Sequence, residues 1–302
     1  MTPARTDPSE RAATATPPDE SPRAYAERHG LRPMQTRQTI GSYLAELWQR
    51  RHFVVAFASA RTRASFAGAR LGQLWQVLTP ILNAGVYFLI FGLLLNTSRG
   101  IPNFVGFLVI GIFVFTYSQR SVLSGSKAIS NNLNLIRALH FPRAALPLAS
   151  TLVELQQLVV SMVVMLAIVL VTGEPVTWTW LLLVPALVLQ TAFCTGAALL
   201  VARIGSRIPD LAQLLPFMLR TWLYLSGVFY SIDRVADRVP GPLQVVLEVN
   251  PGAVYLELVR NALLHEHPPA PHAWLYAVAW AVVSLVGGFL FFYRAEQTYG
   301  RG

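Results

Sequence analysis

The sequence predicts an all-α integral membrane protein with six transmembrane helices. Three observations carry this. Six apolar runs divide the chain, near residues 75–95, 104–123, 146–171, 178–201, 214–232 and 274–293. Each approaches the roughly 20 helical residues needed to cross a hydrocarbon core of about 30 Å. Apolar residues make up 54% of the 302 and charged residues only 13%, so little length is left for a second soluble core. Finally, basic residues crowd every second gap between the runs.

Residues 1–36 come first, rich in Pro, Ala, Thr, Ser and charge and without an apolar signal-peptide core. They read as a disordered cytoplasmic tail ahead of a transmembrane domain spanning 37–302. Within 40–60, Ile40, Leu44, Leu47, Trp48 and Val55 recur at helical spacing, with Glu46, Gln49, Arg50 and His52 between them. This predicts an amphipathic helix lying in the membrane interface, or one packed on a cytoplasmic partner.

The gaps orient the spans. Arg37, Arg50, Arg51, Arg61, Arg63 and Arg70 precede the first run. Lys127, Arg137 and Arg143 follow the second, Arg203 and Arg207 the fourth, and Arg294 and Arg301 the sixth. The opposite gaps hold Arg99, Glu174, and a long mixed segment from Asp233 to His272. The positive-inside rule then places both termini in the cytoplasm. The basic charge follows topology, so it is no sign of nucleic-acid binding.

Between the second and third runs, 126–140 is polar, with Asn131, Asn132 and Asn134 around Leu133, Leu135 and Ile136. Pro142 predicts that a short cytoplasmic helix stops near His140. In the long outer gap, two short amphipathic stretches flank Asn250-Pro251-Gly252. Neither spans a bilayer, and both read as re-entrant or outer-face helices. His265 and His267 read as solvated loop residues.

No phosphate loop, HExxH helix or Gly-x-Ser-x-Gly elbow occurs, and Cys194 is the single cysteine. The chain therefore carries no recognisable catalytic residue, metal site or cofactor site, and Cys194 reads as a small apolar filler. Charges within the runs are the remaining signal. Arg220 lies about 15 Å past Asp210 at helical rise, and Glu154, followed by Gln156 and Gln157, enters the third run. A buried cation needs a partner. Arg220 either faces a translocation path and meets an anionic group such as phosphate, or pairs with Glu154 or a subunit. Trp222 and Tyr224 either stack on sugar rings or pack between helices.

The residues resemble the membrane subunit of type-2 ATP-binding-cassette exporters of lipid-linked polysaccharide, over about 44–293. Leu71-Gly72-Gln73-Leu74-Trp75 with Pro80 is similar to the family's entry into its first span. Asn134-Leu135-Ile136-Arg137 with Phe141-Pro142-Arg143 and Pro147 is similar to its cytoplasmic loop. Asp210, Leu214, Pro216, Trp222, Ser226 and Tyr230 resemble its fifth span, and Asn250-Pro251 with Glu257 and Arg260 the segment before its last. The chain departs from the pattern at Ala64-Ser65-Phe66, at Gly227 and at Arg220. The Pro- and Ala-rich tail and Ser226-Gly227-Val228-Phe229 look like actinobacterial galactan exporters.

The resemblance implies a homodimer in the bacterial plasma (inner) membrane, with two copies of a separate ATPase that hold ATP and magnesium. It implies that the 126–140 segment seats in that ATPase through Asn132, Asn134, Leu135, Ile136, Arg137 and Arg143. Read from the spans themselves, Arg220, Trp222, Tyr224 and Glu154 are the candidates for the translocation path, and the resemblance implies an outer gate at Asn250, Pro251, Glu257 and Arg260. The substrate class expected is O-antigen, teichoic acid or galactan. A small-molecule or drug exporter of the same fold, or a secondary transporter without an ATPase, are the alternatives.

Overall fold

Apolar runs fold as helices here because a helix satisfies every backbone N–H and C=O within itself. The computed structural model describes residues 39–65, 74–94, 101–139, 141–232, 240–267, 269–296 and Tyr299, and all regular structure among them is helical. The expected N-terminal tail, Arg37, Arg70, Arg99, His140 and the segment 233–239 lie outside the described residues. The chain divides into two units, Met1–Ser42 and Tyr43–Gly302.

In chain order the helices are α1 (Ile40–Gln49), α2 (Arg51–Ala64) and α3 (Leu74–Tyr87), which runs into a π-helical stretch, Phe88–Leu94. Then come α4 (Phe104–Ser126), α5 (Leu133–Ala138), α6 (Ala145–Val171) and α7 (Leu183–Gly205), the last entered by a 3₁₀ turn at Trp178–Leu182. The chain continues with α8 (Leu211–Leu225), α9 (Gly241–Val249), α10 (Pro251–Leu263) and α11 (Pro271–Tyr293).

Four of these segments are long and apolar enough to cross a membrane: Phe104–Ser126, Ala145–Val171, Trp178–Gly205 and Pro271–Tyr293. They correspond to the second, third, fourth and sixth runs. The fifth run is shorter than its apolar length suggested. Helix α8 is 15 residues, about 22 Å at 1.5 Å rise, and carries Pro216 inside it. It stops because Gly227 adopts φ +65°, the left-handed conformation that ends helices.

Helix α4 is the hub. Of its most apolar window 78% is buried, against 22% for α11. Phe107, Ile110, Val114 and Phe115 pack against α6, α7 and α10 in the main core. Helices α7 and α11 approach so closely that a Cβ on Gly196 would strike the Ser284 carbonyl, and one on Gly288 would strike Gly196. Small residues let transmembrane backbones touch in this way. Cys194 is fully buried in this core, as the filler role requires.

The amphipathic segment has a second, protein-facing side besides its expected stripe. Arg50 separates α1 from α2, and the protein-facing residues are Tyr43, Val54 and Ala58. Val54 and Ala58 pack on Ala145, Ala149 and Val153 of α6. Ile40, Leu44, Trp48 and Val55, read from sequence as one apolar face, are all exposed.

Candidate functional site

Three places concentrate polar chemistry. The first is the connection between α4 and α6. Lys127 ends α4, the Asn132 amide donates to the Ala128 carbonyl at 2.7 Å, and α5 follows. The helix stops at Ala138, two residues before the expected end. Ile136 is buried against Ala128, Ile129 and Phe292, with Leu133 and Leu135 partly buried around it. Asn134 and Arg137, one turn apart, are exposed. The segment thus has an anchored apolar side and an open polar side.

Arg143 lies elsewhere than on that open side. Its backbone N–H donates to Glu296 Oε1 at 2.9 Å, and its guanidinium donates to the Glu296 carbonyl. The Tyr43 hydroxyl donates to Glu296 Oε2 at 2.9 Å and accepts from the Ala144 N–H at 3.1 Å. One carboxylate therefore ties α1, the root of α6 and the residues after α11. Burial pushes the Glu296 carboxyl above its usual range, and the Arg143 and Tyr43 contacts only partly offset this. Burial also raises the Tyr43 hydroxyl far above its ordinary value.

The second place lies between α4 and α6, toward their Ser126 and Ala145 ends. Arg120, Glu154 and Gln157 line a pocket there. Thr116, Tyr117 and Ser161 continue its polar wall, and Phe113 and Leu158 complete it. Arg120 donates to the Gln157 amide oxygen at 3.3 Å. The cations acting on Glu154 are Arg120 and, from α2, Arg61. Helix α2 is held beside them by Thr62 donating to Gln156 at 2.8 Å and by Gln156 donating to Ser59 at 3.2 Å. Arg120 and Arg61 are the cations near Glu154, and Arg220 is exposed on α8. Sequence reasoning did not single out Arg120, although it is a lone cation inside an apolar run. Asking which cation faces Glu154 would have found it.

Arg220 and Tyr224, four residues apart on α8, are both exposed. Tyr224 stacks near Phe229, with ring centroids 5.6 Å apart, and Phe229 packs on Tyr87 and Phe91. Trp222 points the other way. Its indole sits against Phe115 at 4.9 Å, and its N–H donates to Asn250 Oδ1 at 2.7 Å.

That bond opens the third place, the junction of α8 with α10. Asn250 caps α10 by accepting the Gly252 N–H at 3.0 Å, and Pro251 fills the first helical turn. Gly252 lies so close to Ser226 that a Cβ would collide with its hydroxyl. Arg260, 3% exposed, sits over the Phe107 ring at 3.4 Å. It donates to the Gly227 carbonyl at 3.0 Å and the Val228 carbonyl at 3.1 Å. Those carbonyls lie in the non-helical turn that follows α8. Glu257 meets His267 Nε2 at 2.8 Å, and the His265 N–H donates to Glu174 at 2.9 Å. His267 is therefore a packed, paired residue rather than a solvated one. Sequence alone missed this because the pair closes only once α10 is folded into the core.

Comparison with known proteins gives a family. The ABC-2 type transporter family matches residues 54–264. The chain is 28% identical over 254 residues to the O-antigen export system permease protein RfbA of Myxococcus xanthus, covering 83% of this chain and 96% of that protein. It is 23% identical over 217 residues to the O-antigen export system permease protein RfbA of Klebsiella pneumoniae, covering 70% and 82%. It is 25% identical over 240 residues to the polysialic acid transport protein KpsM of Escherichia coli, covering 78% and 90%. The matched stretch runs from α2 through α10 and takes in the α4–α6 connection, the pocket of Arg120 and Glu154, and the Trp222–Asn250 junction, and the chain belongs to the ABC-2 type transporter family.

Proposed function

We propose that this chain is the membrane subunit of an ATP-driven exporter that moves a lipid-linked polysaccharide across the plasma membrane. The observation that carries the reading is coverage: the chain accounts for 96% of one O-antigen export permease and 90% of a polysialic acid transport protein. The names of these relatives, O-antigen export and polysialic acid transport, favour a polysaccharide over a small molecule as cargo. A galactan is the narrower assignment, supported by the Pro- and Ala-rich tail and Ser226-Gly227-Val228-Phe229.

In this reading the chain crosses the bacterial inner membrane six times, with α3 and α8 completing the set and both termini cytoplasmic. The exposed Ile40, Leu44, Trp48 and Val55 support an interfacial seat for α1 and α2. Two copies of the permease pair with two copies of a separate ATPase, which binds ATP and magnesium. Asn134 and Arg137 on α5 meet that ATPase, with Asn132, Leu135 and Ile136 shaping the segment and Arg143 holding its root. Arg220, Trp222, Tyr224 and Glu154 line or support the path. Asn250, Pro251, Glu257 and Arg260 hold the outer end. ATP binding shifts the permease by favouring one arrangement over another.

The test is co-purification followed by export. An ATPase encoded beside this chain should co-purify with it, and depletion of the chain should strand lipid-linked glycan on the cytoplasmic face. Glycan that still reaches the outer face after depletion overturns the reading.

A further inference from the structure

We propose that the turn between α7 and α8, Arg207–Asp210, is a second seat for the partner ATPase, beside the one on α5. The inference rests on the export reading and adds a contact to it.

Position is the first argument. Leu199 and Ala202, near the end of α7, share one core with Ala128, Ile129 and Ile136, and Ile136 is the anchor of α5. Gly205 ends α7 so close to the end of α4 that a Cβ there would strike the Ser126 carbonyl. The turn and α5 therefore rise from one packed base at the same end of the helices.

Height is the second. The segment Trp178–Gly205 has 28 residues. At helical rise that is about 42 Å, against a hydrocarbon core of about 30 Å. Trp178 and Trp180 suit the outer interface, where aromatic rings settle, so the excess of about 12 Å falls at the Gly205 end. In the proposed orientation the turn then stands in the cytoplasm, clear of the acyl chains.

Surface is the third. Arg207, Ile208, Pro209 and Asp210 are all exposed, Ile208 at 53%. The same pattern recurs on α5, where Leu139, 50% exposed, stands two residues past Arg137. Each place sets an apolar tip beside an arginine. Lys127, next to the Ser126 carbonyl that Gly205 meets, is exposed as well. A protein surface with apolar hollows and an acidic rim fits both places at once, since interfaces join an apolar centre to a polar rim.

The turn is also stiff. The Ile204 carbonyl accepts the Arg207 N–H at 3.0 Å and the Ile208 N–H at 2.9 Å. The Leu211 N–H donates to the Ile208 carbonyl at 3.1 Å, and the Leu214 N–H to the Asp210 carbonyl at 3.1 Å. Hydrogen bonds thus run from α7 into α8 without slack. Arg203 donates to the Phe291 carbonyl and lies 3.9 Å from its ring centroid, which fixes the end of α7 to α11. Helix α8 is held more lightly, with Leu215 and Leu219 as its buried residues. A push on the turn therefore reaches the helix that carries Arg220 and Tyr224.

The experiment uses the full chain with the ATPase encoded beside it, in nanodiscs of phosphatidylcholine and phosphatidylglycerol. Ile208 replaced by photoreactive benzoylphenylalanine should crosslink to the ATPase. In the wild-type chain, amide hydrogen exchange over 207–214 should slow when the ATPase is added. Ile208→Ser should weaken ATPase affinity roughly tenfold, the scale of one apolar anchor, at low and high salt alike. Arg207→Ala should weaken it at low salt and less at high salt. Capture of lipid alone from position 208, unchanged exchange on adding the ATPase, or wild-type affinity in both variants overturns the seat. The same photoreactive residue at Asn134 separates the two claims. Capture there without capture at 208 removes the turn and leaves the export reading standing, whereas a wild-type chain that holds no ATPase removes both.

Discussion

Glu296, three residues past the end of α11, accepts the Tyr43 hydroxyl from α1 at 2.9 Å, and the same carboxylate accepts the Arg143 N–H ahead of α6. Both ends of the transmembrane domain are therefore fastened to the root of the segment that carries α5. That gives a physical route by which load on α5 is resisted, because its C-terminal anchor is held from two directions.

The joint has a pH signature. Burial is the largest influence on Glu296 and raises its carboxyl, with Glu46 adding to the rise and Tyr43 and Arg143 opposing it. A folded state that binds the proton more tightly than the unfolded chain loses stability as pH increases. This group's contribution is fully present below the ordinary carboxylate range and is lost as pH rises through the raised value. Glu296→Gln removes that loss. The stability of Glu296→Gln minus that of wild type, measured by thermal unfolding in detergent, should therefore grow from acid toward neutral pH. A flat difference, or one that shrinks, contradicts the burial assignment.

Arg260 makes a second expectation. It feeds the Gly227 and Val228 carbonyls where α8 ends and rests on Phe107 of α4, joining three elements. Arg260→Met keeps most of the volume and leaves those buried carbonyls short of donors, a loss of about 2–3 kcal/mol. Arg260→Lys should recover only part, because a single ammonium does not reproduce a fork. Denaturant or thermal unfolding in detergent measures both. Full rescue by Lys would mean that charge alone matters.

Which of these features the sequence reveals depends on range. Runs two, three, four and six are legible because apolarity over a bilayer length is a local signal, and the observed helices match them within a few residues. Run five misleads because Val228, Phe229 and Tyr230 stay apolar after the helix has stopped, and only Gly227 marks the stop. Asn250-Pro251 is legible as a helix start, since a cap followed by proline is a local pattern. The bond from Trp222 to Asn250 and the pairing of Glu257 with His267 are not, because each depends on how α10 packs. On α1 and α2 the stripe is legible, but what each face meets is not. Two apolar faces exist there, and periodicity does not say which one meets protein.

The α7–α11 contact yields a paired test on neighbouring residues. A Cβ on Gly288 would meet the Gly196 backbone, whereas Gly287 has nothing within 4 Å of its ideal Cβ. Gly288→Ala should destabilise by about 1–3 kcal/mol through overpacking. Gly287→Ala should be neutral or stabilise by up to about 1 kcal/mol through helix propensity. Thermal midpoints in detergent decide it, and equal effects from the two substitutions would refute the close approach.

The last prediction separates anchoring from coupling within α5. Ile136 is 7% exposed and packs beside Phe292, so Ile136→Ala removes buried apolar surface and should destabilise by about 2–4 kcal/mol. Asn134 and Arg137 face outward on one side of the same helix, where substitutions typically change stability by less than about 0.5 kcal/mol. Replacing both with Ala should leave the thermal midpoint of the isolated permease unchanged while weakening ATPase co-purification and substrate-stimulated ATP hydrolysis. Because rim charges act mainly on association rate, the weakening should be greater at low salt. A double variant that binds its ATPase and stimulates hydrolysis as wild type does would move the contact off α5. The exposed face of α2 would then be the next segment to test, since α2 packs on Ala145 and Ala149 of α6, next in sequence to Arg143.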